Sequence, residues 1–161
     1  MKKFGLYEIS VIIFFAVLPI VGVIADVLIL KSEINTFSLM FKWFVFSGVG
    51  LRLSSAGLKQ LINPSFTAKE IFKVNEENSF SNVREIGLAN ISFGFIGVLS
   101  FFLPEFRLAA AASGGLYFGL SGCLHLFNKR KSRDEIFAMI SDYFIFFILV
   151  ILAMINLYLK T

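Results

Sequence analysis

Cysteine, histidine and charge are all scarce in this sequence, and each shortage removes a class of function. The single cysteine, Cys123, excludes an intramolecular disulfide and any dithiol redox cycle. It lies in an apolar run, where a free thiol acts as a small hydrophobe. The single histidine, His125, follows two residues later, a spacing that turns the two side chains to different faces of a helix and matches no common metal site. No glycine-rich phosphate loop follows a strand and no serine occupies a nucleophile elbow, so the sequence offers neither a catalytic residue nor a metal ligand set. The acidic pairs Glu76-Glu77 and Asp134-Glu135 fall in polar connections and read as surface charge. Charged residues make up only 16% of the chain. In their place stand 57% hydrophobic residues, 21 of the 161 positions being Phe, where soluble domains carry about 45 to 50% apolar residues. With a mean hydropathy of +0.81, this is the composition of an all-α integral membrane protein. The net charge of +4 does not point to nucleic acid, because the basic residues sit between apolar runs, as membrane topology requires.

Five such runs succeed one another: Ile9 to Leu30, Leu39 to Ile62, Arg84 to Leu103, Leu108 to Phe127 and Ile136 to Leu159. Each is close to the roughly 20 residues that cross a hydrocarbon core, so five transmembrane helices are expected. Pro19 predicts a kink in the first. Lys2, Lys3 and the Val23-x-Ala25 pattern also fit a secretory signal removed before Asp26. Trp43 is placed to sit at the headgroup boundary, and Asn63-Pro64 ends the second run. Thr67 to Glu70 has capping-box spacing ahead of Ile71 and Phe72, which predicts a short amphipathic helix on the membrane surface. Asn82 and Glu85 are spaced as an N-cap and its N3 partner, and Pro104 to Arg107 predicts a tight hairpin. Lys2, Lys3, Lys59, Lys69, Lys73, Arg84, Lys129, Arg130, Lys131 and Arg133 on one side outnumber Lys31, Lys42, Arg107 and Lys160 on the other. This bias places the N-terminus in the cytoplasm and the C-terminus outside.

The second run carries Arg52 near its centre. A guanidinium at that depth costs about 2.5 to 3.5 kcal/mol on insertion scales, so Arg52 should face protein or water and the other helices should pack around this one. At about 1.5 Å per helical residue, Arg52 falls about 3 Å to the cytoplasmic side of mid-span, Asn90 and Asp142 about 7 Å, His125 about 11 Å and Glu85 about 14 Å. Asp142 is the expected counter-ion, Glu85 the weaker candidate, and Asn90 a further acceptor for a group with donors to spare. Three readings of this cluster stand: a buried ion pair that orients the bundle, a pocket for an anionic or quinone-like headgroup or a proton relay, and an arginine reaching to lipid. His125 itself reads as an interfacial hydrogen-bonding residue. Near the outer face, Asp26 and Lys42 have matching depths across a short connection, which predicts an ion pair.

Small residues form stripes at helix-packing spacing. Ser47, Gly50, Ser54 and Gly57 share one face of the second run, and Gly87, Asn90, Gly94 and Gly97 repeat that spacing in the third. In the fourth, Ala111, Gly115 and Gly119 recur every four residues and Gly122 follows, which predicts the closest helix approach there.

From Arg52 onward the order of features resembles the DoxX-like group of small bacterial four-helix membrane proteins, particularly an uncharacterised family within it. The residues that carry the likeness are Asn63-Pro64 after a Gly-rich run, Ser79-Phe80, and Glu85-x-Gly87-x-Ala89-Asn90 leading to Gly94-x-x-Gly97. Ala109 to Ala112, His125 and Asp142 continue the same order. The resemblance implies a helix and connection over 1–38 followed by a DoxX-like four-helix bundle over 39–161, in a bacterial inner (cytoplasmic) membrane. Some relatives serve quinone-linked oxidation, while the closer family has no agreed activity. Lys59 stands where the resemblance implies a histidine. The expected protein binds the lipid bilayer and no nucleic acid, has no evident cofactor beyond a bound quinone or lipid, and is not expected to be an enzyme. A membrane-protein partner or a homo-oligomer is compatible with it. A small proton-coupled transporter and a structural accessory subunit are the alternatives.

Overall fold

A computed structural model describes residues 5–71, 79–128 and 132–159. Lys2, Lys3, Phe72, Lys73, the Glu76-Glu77 pair, the basic run at 129–131 and Lys160 lie outside these residues. The described chain is all-helical. Helix α1 is Leu6–Ile29, α2 covers 36–62, α3 is a short turn over 64–71, α4 is Ser79–Phe102, α5 is Phe106–Phe127 and α6 is Arg133–Tyr158. Among the described residues α1, α4 and α6 are long and apolar enough to cross a membrane. Helices α2 and α5 are diluted in apolar content by Lys42, Arg52 and their many Gly and Ser residues.

Local sequence accounts for most boundaries. Asn35 caps α2 by accepting from the Phe37 N–H at 2.9 Å. Ser132 does the same for α6 through the Glu135 N–H at 3.2 Å. At the end of α1 the Ser32 N–H bonds back to the Asp26 carbonyl, with Lys31 in the left-handed region at φ 49, the conformation for which glycine is usual just past a helix end. The widened turn Ile13–Val17 comes just before Pro19, whose ring and missing N–H disturb the preceding ladder, and the helix continues past it. Helix α4 begins by Ser79, so Asn82 lies inside the helix and is not its cap. The short turn begins at Pro64 rather than at a Thr67 cap, and Thr67 and Ala68 are buried against the bundle instead of resting on its surface.

Helix α2 is the centre. It packs on α1, α4, α5 and α6, and its middle, from Phe44 through Leu53, has no exposed residue. The outward faces of its neighbours are apolar: Leu116, Leu120 and Leu124 on α5, and Ile140, Phe144, Phe147, Ile151 and Met154 on α6. This is the pattern of side chains facing lipid around an enclosed helix that has no need of lipid-compatible surface.

The closest backbone approach is between α2 and α4, not along α5. A Cβ at Gly57 would lie 2.5 Å from the Gly87 carbonyl oxygen, and one at Gly50 would lie 2.9 Å from the Gly97 carbonyl carbon. Gly94 meets Ser54 and the Gly50 carbonyl in the same seam. The α5 glycines face side chains instead: Gly119 meets Phe146, Gly122 meets Tyr143, and Gly115 has open contact with Leu149 at 3.8 Å. Ala111 is buried in the core beside them. The α5 stripe accommodates large α6 residues, so its small-residue spacing signals a groove for side chains rather than backbone contact.

Candidate functional site: a polar cavity at one end of the bundle

The first turns of α1, the second half of α2, the turn α3, the first half of α4, the end of α5 and the start of α6 surround a cavity of about 630 Å³. That volume is within the usual range of small-molecule pockets, about 300 to 1,000 Å³. Arg52, Asn90, His125 and Asp142 all line it. Glu85 does not: it is exposed on α4, turned away from the others.

Within this cavity the expected direct pairing differs from the arrangement found. Among the described residues Arg52 makes no ion pair with Asp142, although the two charges interact across the site. The guanidinium instead lies over the Tyr7 ring, its Cζ 5.6 Å from the centroid, and its Nε is buried without a hydrogen-bond partner. Asn90 gives its amide to Gln60, Nδ2 donating to Oε1 at 2.8 Å, while Asn90 Oδ1 has no partner. Tyr117, Ser121, Phe14 and Phe118 line the same cavity.

Lining residues on three helices carry signals that the glycine stripes obscure. Gln60 continues the small-residue face of α2 three positions past Gly57. Tyr117, Ser121 and His125 recur every four residues on α5. Tyr7, Ser10 and Phe14 follow a helical face of α1. Each is visible once α2, α5 and α1 are known to face the same space.

His125 joins the cavity to a second polar group at its edge. Its Nδ1 lies 3.3 Å from Glu135 Oε1, which also accepts from Asn128 Nδ2 at 2.7 Å. Glu135 reads from the sequence as solvated, yet it is 2% exposed. Its other oxygen, Oε2, is buried without a hydrogen-bond partner, at the N-terminal end of α6, where negative charge is favoured.

At the opposite end of the bundle Asp26 Oδ2 lies 2.8 Å from Lys42 Nζ and accepts from Trp43 Nε1 at 2.9 Å. Trp43 packs on Gly22 and on the Phe46 and Phe101 rings, so it closes the space between helices. Cys123 accepts from the Tyr143 hydroxyl at 3.3 Å. Among the described residues no group of three His, Cys, Asp or Glu side chains is placed to hold a metal ion.

Comparison with curated proteins finds no match, and neither does comparison with solved structures. A family pattern covers nearly the whole chain, residues 9–161, and the protein therefore belongs to the Family of unknown function (DUF6790).

Proposed function

We propose that the protein is a five-span membrane protein that binds an amphiphile, a lipid or quinone, with the polar head in the Arg52–Asp142 cavity. The observation that carries this reading is the cavity itself: a space of about 630 Å³ that places a charged and hydrogen-bonding wall against aromatic and aliphatic side chains. The unpaired Arg52 Nε and Asn90 Oδ1 add to it, because buried polar groups without partners cost free energy that a ligand repositioning them would recover. Helices α2 and α5 complete the five spans in this reading, α2 being shielded from lipid by its neighbours and α5 presenting Leu116, Leu120 and Leu124 outward. The charge bias then sets the cavity in the cytoplasmic half of a bacterial inner membrane, with the N-terminus inside. The DoxX-like likeness belongs to the same reading and would make α2, α4, α5 and α6 a four-helix unit over 39–161, with residues 1–38 added to it.

Binding is favoured over passage by the packing of the other end. The Gly50–Gly97 seam and the Trp43, Phe46 and Phe101 rings leave the outer half of the bundle filled. A carrier would have to open that half.

The test is solvent extraction and mass spectrometry of protein purified from membranes in mild detergent. The expected result is one lipid or quinone species enriched well above its share of the membrane. Protein carrying only the bulk lipid mixture would count against the proposal.

A further inference from the structure

We infer that the ligand of this cavity is anionic: an amphiphile with a phosphoryl or carboxylate head, held by Arg52 and Lys59, with its tail leaving towards lipid past Leu6 and Leu124. The inference rests on the amphiphile-binding reading above and specifies the chemistry of the head.

The first argument is charge. Arg52 and Lys59 both line the cavity, and among the described residues Asp142 is the one carboxylate in its wall. With Asp142 ionised the wall keeps a positive excess, and with Asp142 protonated the excess is larger. The sign is therefore independent of how Asp142 titrates. His125 does not reverse it: charged, it is balanced by the Glu135 carboxylate 3.3 Å away, and neutral, it adds no charge to a wall that Glu135 itself does not line. Of the two cations Arg52 is the one drawn away from water, its Nε buried without a partner, and an oxyanion is the group that would compensate it. A neutral quinone carbonyl accepts hydrogen bonds but leaves the excess charge in place.

The second argument is position. Lys59 is exposed, and its Nζ sits 3.4 Å from the centroid of the Phe66 ring, which holds the ammonium at the rim of the cavity. Arg52 lies two helical turns deeper on the same helix. The two cations thus mark an entry point and an inner point for one oxyanion.

The third argument separates an amphiphile from a free anion. Leu6 on α1 and Leu124 on α5 line the cavity and are also among the most exposed apolar residues of the protein, at 85% and 74%. Above them α1 and α5 close on each other through the Phe15 and Phe118 rings, whose centroids are 5.4 Å apart. Leu6 and Leu124 lie below that contact, where an acyl chain would continue from the head into the bilayer.

The experiment uses the full chain in a neutral detergent, with binding read by native mass spectrometry and by the shift in Tm. The probes are dodecyl phosphate, laurate, decyl-ubiquinone and inorganic phosphate. Dodecyl phosphate or laurate should bind saturably at one site, and the stronger of the two identifies a phospholipid-like or a fatty-acid-like source. Losing one charge-assisted contact in Lys59→Gln should weaken that binding about tenfold. Arg52→Gln should weaken it further; Lys59→Gln, at an exposed position, keeps the test open if Arg52→Gln does not fold. Decyl-ubiquinone binding as tightly as the anionic probes would overturn the inference while leaving amphiphile binding in place. Inorganic phosphate binding as tightly would overturn the requirement for a tail, and unchanged binding in Lys59→Gln would overturn the assigned cations. Failure of every tailed probe would remove both this inference and the reading on which it rests.

Discussion

At the scale of single residues the two ends of the bundle treat their charges differently. Asp26 is 4% exposed and its Oδ2 receives two donors, the Lys42 ammonium and the Trp43 indole. Lys42 also lies over the Phe101 ring at 4.5 Å. The charge is therefore compensated in place, and removal of one partner leaves the other stranded. Asp26→Asn and Lys42→Met should each lower stability by about 3 kcal/mol or somewhat less, since the pair is not wholly buried, and the double variant should lose clearly less than their sum. Trp43→Phe, which keeps the ring packing and deletes one hydrogen bond to a carboxylate, should cost about 1.5 to 3 kcal/mol. Thermal unfolding in detergent measures all four, and strict additivity of the first two would mean that the contact is not energetic. The juxtaposition of Asp26 and Lys42 was legible from matched depth across a short connection. The role of Trp43 was not, because an indole near the start of a span carries the same sequence signal at a headgroup boundary as in a helix interface. Burial of Glu135 was hidden for a similar reason: its partners, Asn128 and His125, belong to the end of α5 and come into reach only when α6 packs on α5.

At the scale of helices the spacing of small residues told which faces pack, but not what packs on them. The stripes on α2 and α4 share their spacing and run antiparallel, so they mesh backbone to backbone, Gly57 against Gly87 and Gly50 against Gly97. The α5 stripe looks the more promising in sequence, with its four-residue steps, yet α6 opposes it with Tyr143, Phe146 and Leu149. Pattern on one helix cannot reveal the size of the residues opposite. The consequence is a sharp contrast between substitutions that are identical on paper. Gly97→Ala must push two backbones apart and should destabilise by about 1 to 3 kcal/mol, as overpacking does. Gly115→Ala meets only Leu149 at ordinary contact distance and relieves the entropic cost of glycine within a helix, so it should be neutral or stabilising by up to about 1 kcal/mol. A Tm for Gly115→Ala as low as that of Gly97→Ala would place the closest approach back on α5.

At the scale of the whole molecule the open question is how many helices cross the membrane, and enclosure of α2 bears on it directly. An apolar helix count gives α1, α4 and α6. Helix α2 packs on α1, α4, α5 and α6 and its middle is enclosed, so its surface faces protein; the five-span proposal counts it as a crossing helix that hydropathy does not register. That the other helices are arranged around the Arg52 helix was legible in the sequence, because a guanidinium at the centre of an apolar run calls for enclosure. The location of the two ends of the chain does not decide between three and five spans, since both numbers are odd and both put the termini on opposite sides. The 128–132 connection does not decide either, because it follows α5 and is cytoplasmic in both arrangements when the N-terminus is inside. Two positions do differ. Asn63, at the end of α2, is cytoplasmic if α2 crosses and external if it does not. Glu105, in the hairpin before α5, is external with five spans and cytoplasmic with three. Both are exposed. In a Cys123→Ala background, Asn63→Cys should be protected from an impermeant thiol reagent added to intact cells and Glu105→Cys should react. The inverse pattern would reduce the crossing helices to three, leave α2 and α5 outside the hydrocarbon core, and remove the membrane setting on which the cavity's amphiphilic ligand depends.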